Sequence, residues 1–268
     1  MRLAHINRRS HGAVPFFKVF FQCSDMKKEE KMILIDKFLG NMGIGTRTEV
    51  QKMIRRGEVL VNGHAVHLPK EKISEETDSV TVNGCAVTYR KHIHLMMNKP
   101  AGYVTATADN LYPTVIDLID DPFIASKVMP AGRLDVDTEG FVFLTSDGDL
   151  NHFITGPKNH IPKTYYAEVE GILEASDQEA FEKGILLEDG YVTKPGKLEI
   201  IEAKERSKCF VTLSEGKFHQ VKRMFLCLGK KVVFLKRIRM GHLDLDPDLN
   251  PGESRELTEE ELDLLKER

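Results

Sequence analysis

The sequence contains no tryptophan, only four cysteines among 268 residues, and no apolar run of about 18 residues. A helix that crosses a bilayer needs such a run, so we expect no membrane span. The cysteines form no C-x-x-C pair, and none lies at zinc-binding spacing from a histidine. We therefore expect reduced thiols in a cytoplasmic protein, without a disulfide framework or a zinc module; the four are Cys23, Cys85, Cys209 and Cys227.

The chain also lacks a Walker loop and a G-x-G-x-x-G motif, so it has no signature of a nucleotide cofactor. Its net charge is −3, which means that any surface for nucleic acid must be a local basic patch. With 41% hydrophobic residues, the length suffices for one large domain or two unequal ones, each with a buried core.

The first 24 residues contain no Asp or Glu. They also lack the uninterrupted apolar core and the cleavage site of a signal peptide. A regular hydrophobic period begins only near Met32. We interpret residues 1–31 as an extension, either disordered or translated from a start codon assigned too early, with Met26 or Met32 as the true start. An amphipathic targeting segment is a weaker alternative.

A small α/β domain is predicted over residues 32–90. Apolar residues recur with a helical period from Ile33, and Gly43 interrupts them. Thr46 then starts a second helix, with Glu49 three residues later as a capping box. One face of this helix is basic, with Arg47, Lys52, Arg55 and Arg56. In isolation, such a basic face is more often merely solvated. Two Asn-Gly turns between short apolar runs predict two hairpins, at Asn62-Gly63 and at Asn83-Gly84.

The remaining residues, 91–268, mix strand and helix patterns without a regular βαβ repeat, which predicts an α+β fold around a mostly antiparallel mixed sheet. Strands are expected at 91–98, after the turn in NKPAGYVTA, at 141–144, and in the segments KTYYAEVEG, KCFVTLSEG and KKVVFLKRIRMG. Helices are expected at 175–183, at 217–228, and in the tail, where Thr258 and Glu261 form a capping box.

The stretch GRLDVDTEGFVFLTSDG, residues 132–148, is unusually acidic and allows three interpretations. Asp135, Asp137 and Glu139 before Gly140 resemble the opening of a calcium loop, but position 12 is Ser146, where that loop needs a glutamate. The spacing leaves open a magnesium site from Asp135 and Asp137 with Asp147 and Asp149, although such pairs are more often turn formers and caps. The third interpretation is a single catalytic carboxylate in a turn before a strand.

Helical geometry in 217–228 distinguishes two neighbouring cations. At about 100° per residue, one face holds Phe218, Val221, Phe225 and Leu228. Arg223 falls opposite this face, whereas Lys222 falls at its border, from where a long side chain can reach inward. In KTYYAEVEG, strand alternation places Tyr165 and Tyr166 on opposite faces.

Five strings of the chain carry a resemblance: AGRLDVDTEGFVFLTSDG, LMMNKPAGYVTA, PKNHIPKTYYAEVEG, EGKFHQVKRMFLCLGKKVVFLKRIRMG and LNPGESRELTEEEL. Together they resemble the RsuA-type family of pseudouridine synthases, which acts on small-subunit ribosomal RNA. The stretch IDKFLGNMGIGTRTEVQKMIRRGEVLVNG resembles the S-four-like RNA-binding domain that precedes the catalytic domain in this family. The resemblance spans roughly residues 32–260. It implies an S-four-like domain at 32–90 and a pseudouridine synthase domain at 91–268.

The resemblance also implies roles for individual residues. Asp135 would be the essential carboxylate, Lys222 its basic partner, and Tyr165 the aromatic face that holds a uracil turned out of the RNA stack. Arg133 would fill the space left by the flipped nucleotide. The other residues expected to contact RNA are Arg47, Lys52, Arg55, Arg56, Arg223, His219 and Gln220, with a structural role at the helix start as an equal alternative for the last two.

Pseudouridine formation breaks a nitrogen–carbon glycosidic bond and rejoins the base through carbon 5, so no atom is gained and neither a cofactor nor a metal is expected. Whether Asp135 attacks the base, attacks the sugar or removes a proton is left open. We expect a monomer whose partner is ribosomal RNA, namely 16S rRNA at a uridine 516-type site or a small-subunit assembly intermediate. The alternatives are a synthase for 23S rRNA and, from another class, a non-catalytic RNA-binding or ribosome assembly factor.

Overall fold

Residues 32–75 and 77–267 are described by the structure, a computed structural model of the protein. The expectations for residues 1–31 lie outside the described residues. The chain forms two units, one comprising residues up to 39 together with 47–87, and the other comprising 40–46 and 88 onward. None of the helices in the described part of the chain is both long and apolar enough to span a membrane.

The first unit contains two short helices and two small sheets. Its helices are α1 (Ile35–Asn41) and α2 (Arg47–Arg55), and its strands are β1 (Met32–Leu34), β2 (Val59–Val61), β3 (His64–Ala65), β4 (Lys72–Ser74), β5 (Val80–Val82) and β6 (Cys85–Val87). Strands β3, β2, β5 and β6 form one sheet in that order, while β1 pairs with β4. Both Asn-Gly turns are confirmed, since each asparagine and each glycine has positive φ and each turn joins paired antiparallel strands.

The helical period predicted from Ile33 is wrong at its start. Met32–Leu34 is a strand that pairs antiparallel with Lys72–Ser74, and α1 begins only at Ile35. The partner strand lies about 40 residues away in the sequence, so local periodicity carried no sign of it. The second helix begins at Arg47, directly after Thr46 as predicted.

The second unit is built on a nine-stranded sheet, in the order β11-β12-β10-β13-β9-β7-β15 with β14 beside β13 and β8 beside β9. Its strands are β7 (His94–Lys99), β8 (Met129–Pro130), β9 (Glu139–Thr145), β10 (Lys163–Glu170), β11 (Lys197–Glu202), β12 (Arg206–Leu213), β13 (Lys231–Met240), β14 (Leu243–Asp244) and β15 (Ser254–Glu256). Its helices are α3 (Pro122–Lys127), α4 (Gly148–Thr155), α5 (Ala175–Lys183), α6 (Gln220–Cys227) and α7 (Glu259–Lys266), with a 3-10 turn at Val115–Leu118. The predicted α+β fold with a mostly antiparallel sheet is confirmed.

Apolar residues cover both faces of this sheet. Leu95 and Met97 in β7 belong to one core, and Met96 between them belongs to the core on the opposite face. The strand predicted after the NKPAGYVTA turn does not form; only an isolated bridge joins Val104 to Thr114. The backbone there is instead used to hold a neighbouring turn.

Strands β9 and β13 form the one parallel pair among the described strands, through Lys236 beside Glu139 and Arg237 beside Gly140. This short seam joins β7, β9 and β15 to the other half of the sheet. Gly140 has φ +98°, and a Cβ atom there would lie 2.2 Å from the carbonyl oxygen of Arg237. The close approach of the two strands therefore requires glycine at this position.

Candidate active site

A pocket of about 350 Å³ opens in the second unit between the turn before β9, the central strands β10 and β13, and the beginning of α6. That volume is within the range of small-molecule sites. Several of the predicted site residues line it, namely Arg133, Asp135, Tyr165, His219, Gln220 and Lys222. Side chains that the sequence placed up to 89 positions apart therefore meet in one cavity.

The turn that carries Asp135 is held by the loop that follows β7. The Thr105 hydroxyl donates to the carbonyl oxygen of Leu134 and accepts from its backbone N–H, both at 2.9 Å. The backbone N–H of Gly102 donates to Val136 at 2.7 Å, and the N–H of Thr138 closes the turn on the carbonyl of Asp135. The NKPAGYVTA segment thus fixes the backbone on both sides of Asp135.

Lys99, at the end of β7, reinforces the same turn and is fully buried. Its ammonium Nζ donates to the backbone carbonyl of Thr138 at 2.6 Å and lies 3.0–3.3 Å from those of Pro100, Asp135 and Val136. Burial lowers its pKa from 10.5 to about 8, against the opposing charges of Asp137, Glu139 and Asp135. Sequence reasoning missed this residue; the available signal was a lysine two residues after the apolar run Leu95–Met97.

The position of Lys222 bears on the three interpretations of the acidic stretch, residues 132–148. Its Nζ lies 3.1 Å from the carboxylate of Asp135 and 2.6 Å from that of Asp137, so an ammonium of the chain sits between the two carboxylates. Burial would lower the pKa of Lys222, but its hydrogen bonds to Asp137 and Asp135 raise it overall. Burial would likewise raise the pKa of Asp137, and the hydrogen bond from Lys222 lowers it instead. The place that a cation would take between these carboxylates is filled by the protein's own cation.

The second pair of the magnesium interpretation is used elsewhere. The carboxylate of Asp147 caps α4 by accepting from the backbone N–H groups of Asp149 and Leu150, at 2.9 and 3.1 Å. It also lies 3.6 Å from His92. Within residues 32–75 and 77–267, no group of three or more His, Cys, Asp and Glu side chains is placed to hold a metal ion.

Arg223 points away from Asp135, as the helix geometry predicted. Its guanidinium pairs with Glu188 at 2.5 Å and with Asp189 at 2.6 Å. A phosphate contact by Arg223 would have to compete with two carboxylates, so this expected role has no support from the geometry and stays a prediction.

Tyr165 and Tyr166 lie on opposite faces of β10, as predicted. Tyr165 faces the pocket and is 8% exposed, with Arg237 directly opposite it on β13. Tyr166 packs against Phe210 and Phe234 and donates its hydroxyl to Glu168 at 3.0 Å. Of the two tyrosines, Tyr165 is therefore the one that faces the pocket of Asp135.

The segment before α6 differs from the predicted helix. The helix begins at Gln220, so Phe218 lies outside it and is 69% exposed instead of sharing the buried face. His219 adopts a left-handed conformation with φ +50°, which stops the helix from extending further back. Its ring stacks on Phe218, and its Nε2 lies 3.5 Å from the Asp135 carboxylate.

Gln220 takes the structural alternative that its position at the helix start allowed. Its side-chain oxygen accepts from the backbone N–H of Lys217 at 2.8 Å, and its side-chain nitrogen donates to Glu215 at 2.7 Å. Glu215 also accepts from the hydroxyl of Tyr191 and the backbone of Lys194. Since Gln220 is buried in this network, the geometry favours support of the 214–219 loop over contact with RNA.

The remaining predicted RNA contacts are exposed. Arg133 lies at the pocket, directly after Gly132, whose φ is +86°. In the first unit, the basic residues of α2 and of the turn that follows it are exposed: Arg47, Lys52, Arg55 and Arg56. In the part of the chain that the structure describes, two of them form long ion pairs, Arg47 with Asp36 at 3.5 Å and Arg56 with Glu58 at 3.6 Å. Such exposed pairs are weak and leave the basic face accessible to phosphate.

Comparison with known proteins agrees with this geometry. The family described as RNA pseudouridylate synthase matches residues 93–226, and the S4 domain matches residues 34–79. The chain is 46% identical over 234 residues to the uncharacterized RNA pseudouridine synthase YtzG of Bacillus subtilis, covering 87% of this chain and 98% of that protein. It is 42% identical over 231 residues to the ribosomal small subunit pseudouridine synthase A of Pasteurella multocida, covering 85% and 97%.

A solved structure described as a crystal structure of pseudouridylate synthase is similar over 87% of this chain and 99% of its own, with 41% identity and a TM-score of 0.62. Both domains, the sequence identity and the fold thus point the same way. The chain therefore belongs to the RNA pseudouridylate synthase family and is a pseudouridine synthase with an S4 domain ahead of its catalytic domain.

Proposed function

We propose that this enzyme converts one uridine of 16S ribosomal RNA to pseudouridine, with Asp135 as the essential carboxylate. The observation that carries the catalytic assignment is the convergence of Asp135, Lys222 and Tyr165 in one pocket. The RNA assignment draws on relatives at 40–42% identity in Pasteurella multocida and Escherichia coli, which are named ribosomal small subunit pseudouridine synthase A.

Asp135 has the chemistry that the reaction requires. An ionised carboxylate can attack the ribose or the uracil, or remove a proton, and can later leave again. The Lys222 ammonium at 3.1 Å stabilises its negative charge in a partly buried site, and the carbonyl clamp of Lys99 fixes the turn that aims it. Asp135 is thus held ready by groups on both sides of the pocket.

The neighbouring residues contact the nucleotide that is turned out of the RNA stack, or the RNA around it. Tyr165 offers an aromatic face at the pocket floor against which a flipped uracil packs. Arg133, exposed beside Asp135, takes the space that the nucleotide leaves in the RNA. The basic face of α2 holds RNA through phosphates, which adds affinity with little choice of sequence. We also propose that the enzyme acts as a monomer, and that it meets its ribosomal RNA substrate in the cytoplasm.

Replacing Asp135 with asparagine tests the catalytic assignment. The amide keeps the shape of the side chain but is a poor nucleophile and base, so pseudouridine formation should fall by far more than 1,000-fold, on the order of 4 kcal/mol or more in barrier. Release of tritium from RNA labelled at uracil carbon 5 measures the rate, and filter binding of the same RNA checks that affinity persists. An activity within about tenfold of the wild type would remove Asp135 from the chemistry.

The RNA assignment is tested separately by mapping pseudouridines in ribosomal RNA from a strain that lacks the protein. We expect one position in 16S rRNA to revert to uridine and to be restored by the wild-type gene, but not by the Asp135→Asn variant. Reversion confined to 23S rRNA would transfer the proposal to the large subunit. No reversion in either RNA would favour a binding or assembly role.

A further inference from the structure

Arg237 lines the floor of the pocket. It is not among the site residues that were predicted from the sequence. It is 1% exposed, which makes it the largest fully buried side chain in the described part of the protein. In the sheet, its register partner on β10 is Tyr165, and its register partner on β9 is Gly140. It therefore sits at the seam of the sheet, behind the position where a flipped base meets Tyr165.

The contacts of Arg237 leave one donor group unused. Its Nε donates to the backbone carbonyl of Phe141 at 2.7 Å, and Tyr165 is its partner on the neighbouring strand β10. Its Nη2 is buried and has no hydrogen-bond partner among the described residues, although Arg237 lines the pocket. A buried charged donor without an acceptor is costly, and such groups are rare outside sites that receive a ligand or a water.

Among the described residues, no acidic group opposes the charge of Arg237. Burial lowers the pKa of Arg237, and the interaction that opposes this shift comes from Tyr165, not from an acidic group. Lys163, on the same face of β10 as Tyr165, adds a second cation; burial and the charge of Arg237 lower its pKa to about 8. Asp135 on the opposite wall is already paired with Lys222. In this pocket Asp135 is paired with Lys222, whereas the buried Nη2 of Arg237 has no acceptor among the described residues.

We propose that Arg237 is a further catalytic residue, whose Nη2 donates to a carbonyl oxygen of the bound uracil and stabilises the negative charge that the base acquires during the reaction. The inference rests on the proposed role of the Asp135 pocket. Preorganised donors aimed at developing charge are among the strongest devices that enzymes use.

The charge balance of the reaction supports this assignment. When the bond between N1 and C1′ breaks, its electron pair stays on the base, and the uracil becomes an anion whose charge is shared by its carbonyl oxygens. When C5 then bonds to C1′, the C5 proton is lost and N1 gains one, so the composition is unchanged. If Asp135 first adds to the ring instead, the electrons of the broken double bond also reach a carbonyl oxygen. In each route, negative charge therefore develops on a carbonyl oxygen of the uracil, to which Arg237 can donate a hydrogen bond.

The test compares uridine with 5-fluorouridine at the target position, in the wild type and in Arg237→Gln. Fluorine withdraws electrons, so the fluorinated base carries negative charge more readily and needs less help from the protein. On uridine, we expect Arg237→Gln to lower the single-turnover rate about 100-fold with little change in RNA affinity. On 5-fluorouridine the loss should be about tenfold smaller, measured as disappearance of the nucleoside from nuclease digests by mass spectrometry.

Arg239→Gln is the matched control, because Arg239 lies on the same strand but is exposed and pairs with Asp244. Its rates on both substrates should equal those of the wild type. If Arg237→Gln melts at a lower temperature, Arg237→Lys, which keeps a positive charge, is compared in the same way and should lose less on uridine. Equal losses on the two substrates would assign Arg237 a purely structural role and overturn the inference. Asp135→Asn in the same assay separates this failure from a failure of the proposed function, since it should be inactive on both substrates.

Discussion

At the scale of single residues, Lys99 links the stability of the protein to pH. The ordinary pKa of a lysine is 10.5, whereas burial lowers that of Lys99 to about 8. Between these two values the unfolded chain binds more protons at this residue than the folded protein does. The free energy of unfolding therefore rises with pH over this window, and the contribution is complete above about 10.5.

The variant Lys99→Met removes this dependence. Relative to the variant, the wild type should gain up to about 3 kcal/mol in unfolding free energy between pH 8 and 10.5. Urea unfolding of both proteins at several pH values measures the difference, and Lys163, whose pKa is also about 8, cancels because both proteins contain it. The exposed Lys183 serves as the control, since Lys183→Met should follow the wild type. Parallel curves for wild type and Lys99→Met would contradict the assignment.

The pairing of Lys222 with both Asp135 and Asp137 leads to a second prediction at this scale. Because an ammonium already neutralises these carboxylates, activity should persist in excess EDTA when monovalent salt supports the folding of the RNA. Tritium release with and without EDTA measures it. Loss of activity that returns only with a stoichiometric protein-bound metal would revive the magnesium interpretation.

At the scale of elements, α2 carries the expected RNA contacts of the first unit. Replacing Arg55 and Arg56 with glutamate should weaken RNA binding and reduce the salt dependence of the binding constant by about 0.7–0.9 for each phosphate that the protein no longer neutralises. Titration at several salt concentrations gives this slope, while the rate on saturating RNA should change little. Lys183→Glu, at an exposed position of α5 in the second unit, is a charge-reversal control. A slope unchanged from the wild type would mean that this face is only solvated.

Elements defined by local signals could be predicted from the sequence. The two Asn-Gly hairpins, α5 at Ala175–Lys183 and the capping box of α7 agree with the structure because their determinants lie within a few residues of each other. The failures, β1 and the missing strand after β7, depend on pairing partners elsewhere in the chain. Phe218 was misplaced because the left-handed conformation of His219, which sets where the helix begins, has no reliable sequence signal.

The candidate site divides in the same way. Asp135, Tyr165 and Lys222 were singled out by the family resemblance, and helix geometry independently preferred Lys222 to Arg223; the structure brings the three together in one pocket. Lys99, Thr105 and Arg237 were missed because their partners are mostly backbone carbonyls, up to 96 positions away in the sequence. A carbonyl is present in every residue, so the sequence alone cannot indicate which one a buried cation will meet.

At the scale of the whole molecule, the extension at residues 1–31 can be tested by deletion. Because it has no acidic residue before Asp25 and no clear periodicity, we expect the truncated protein to keep both its melting temperature and its modification activity. Thermal unfolding and tritium release, each beside the full-length protein, measure this. A loss of several degrees or of activity would instead point to docking of the apolar residues of this segment, of which Phe16, Phe17, Phe20 and Phe21 are the largest.

The active site is formed by residues from both halves of the sheet, which meet at the seam between β9 and β13. Asp135 belongs to the half that contains β9, whereas Tyr165 and Arg237 belong to the other half, together with α6, which packs on β13 and carries Lys222. The 3.1 Å contact between Lys222 and Asp135 thus spans the seam, where two parallel residue pairs join the halves. A substitution at Gly140 that separates β9 from β13 would therefore move Asp135 away from Lys222 and lower the activity.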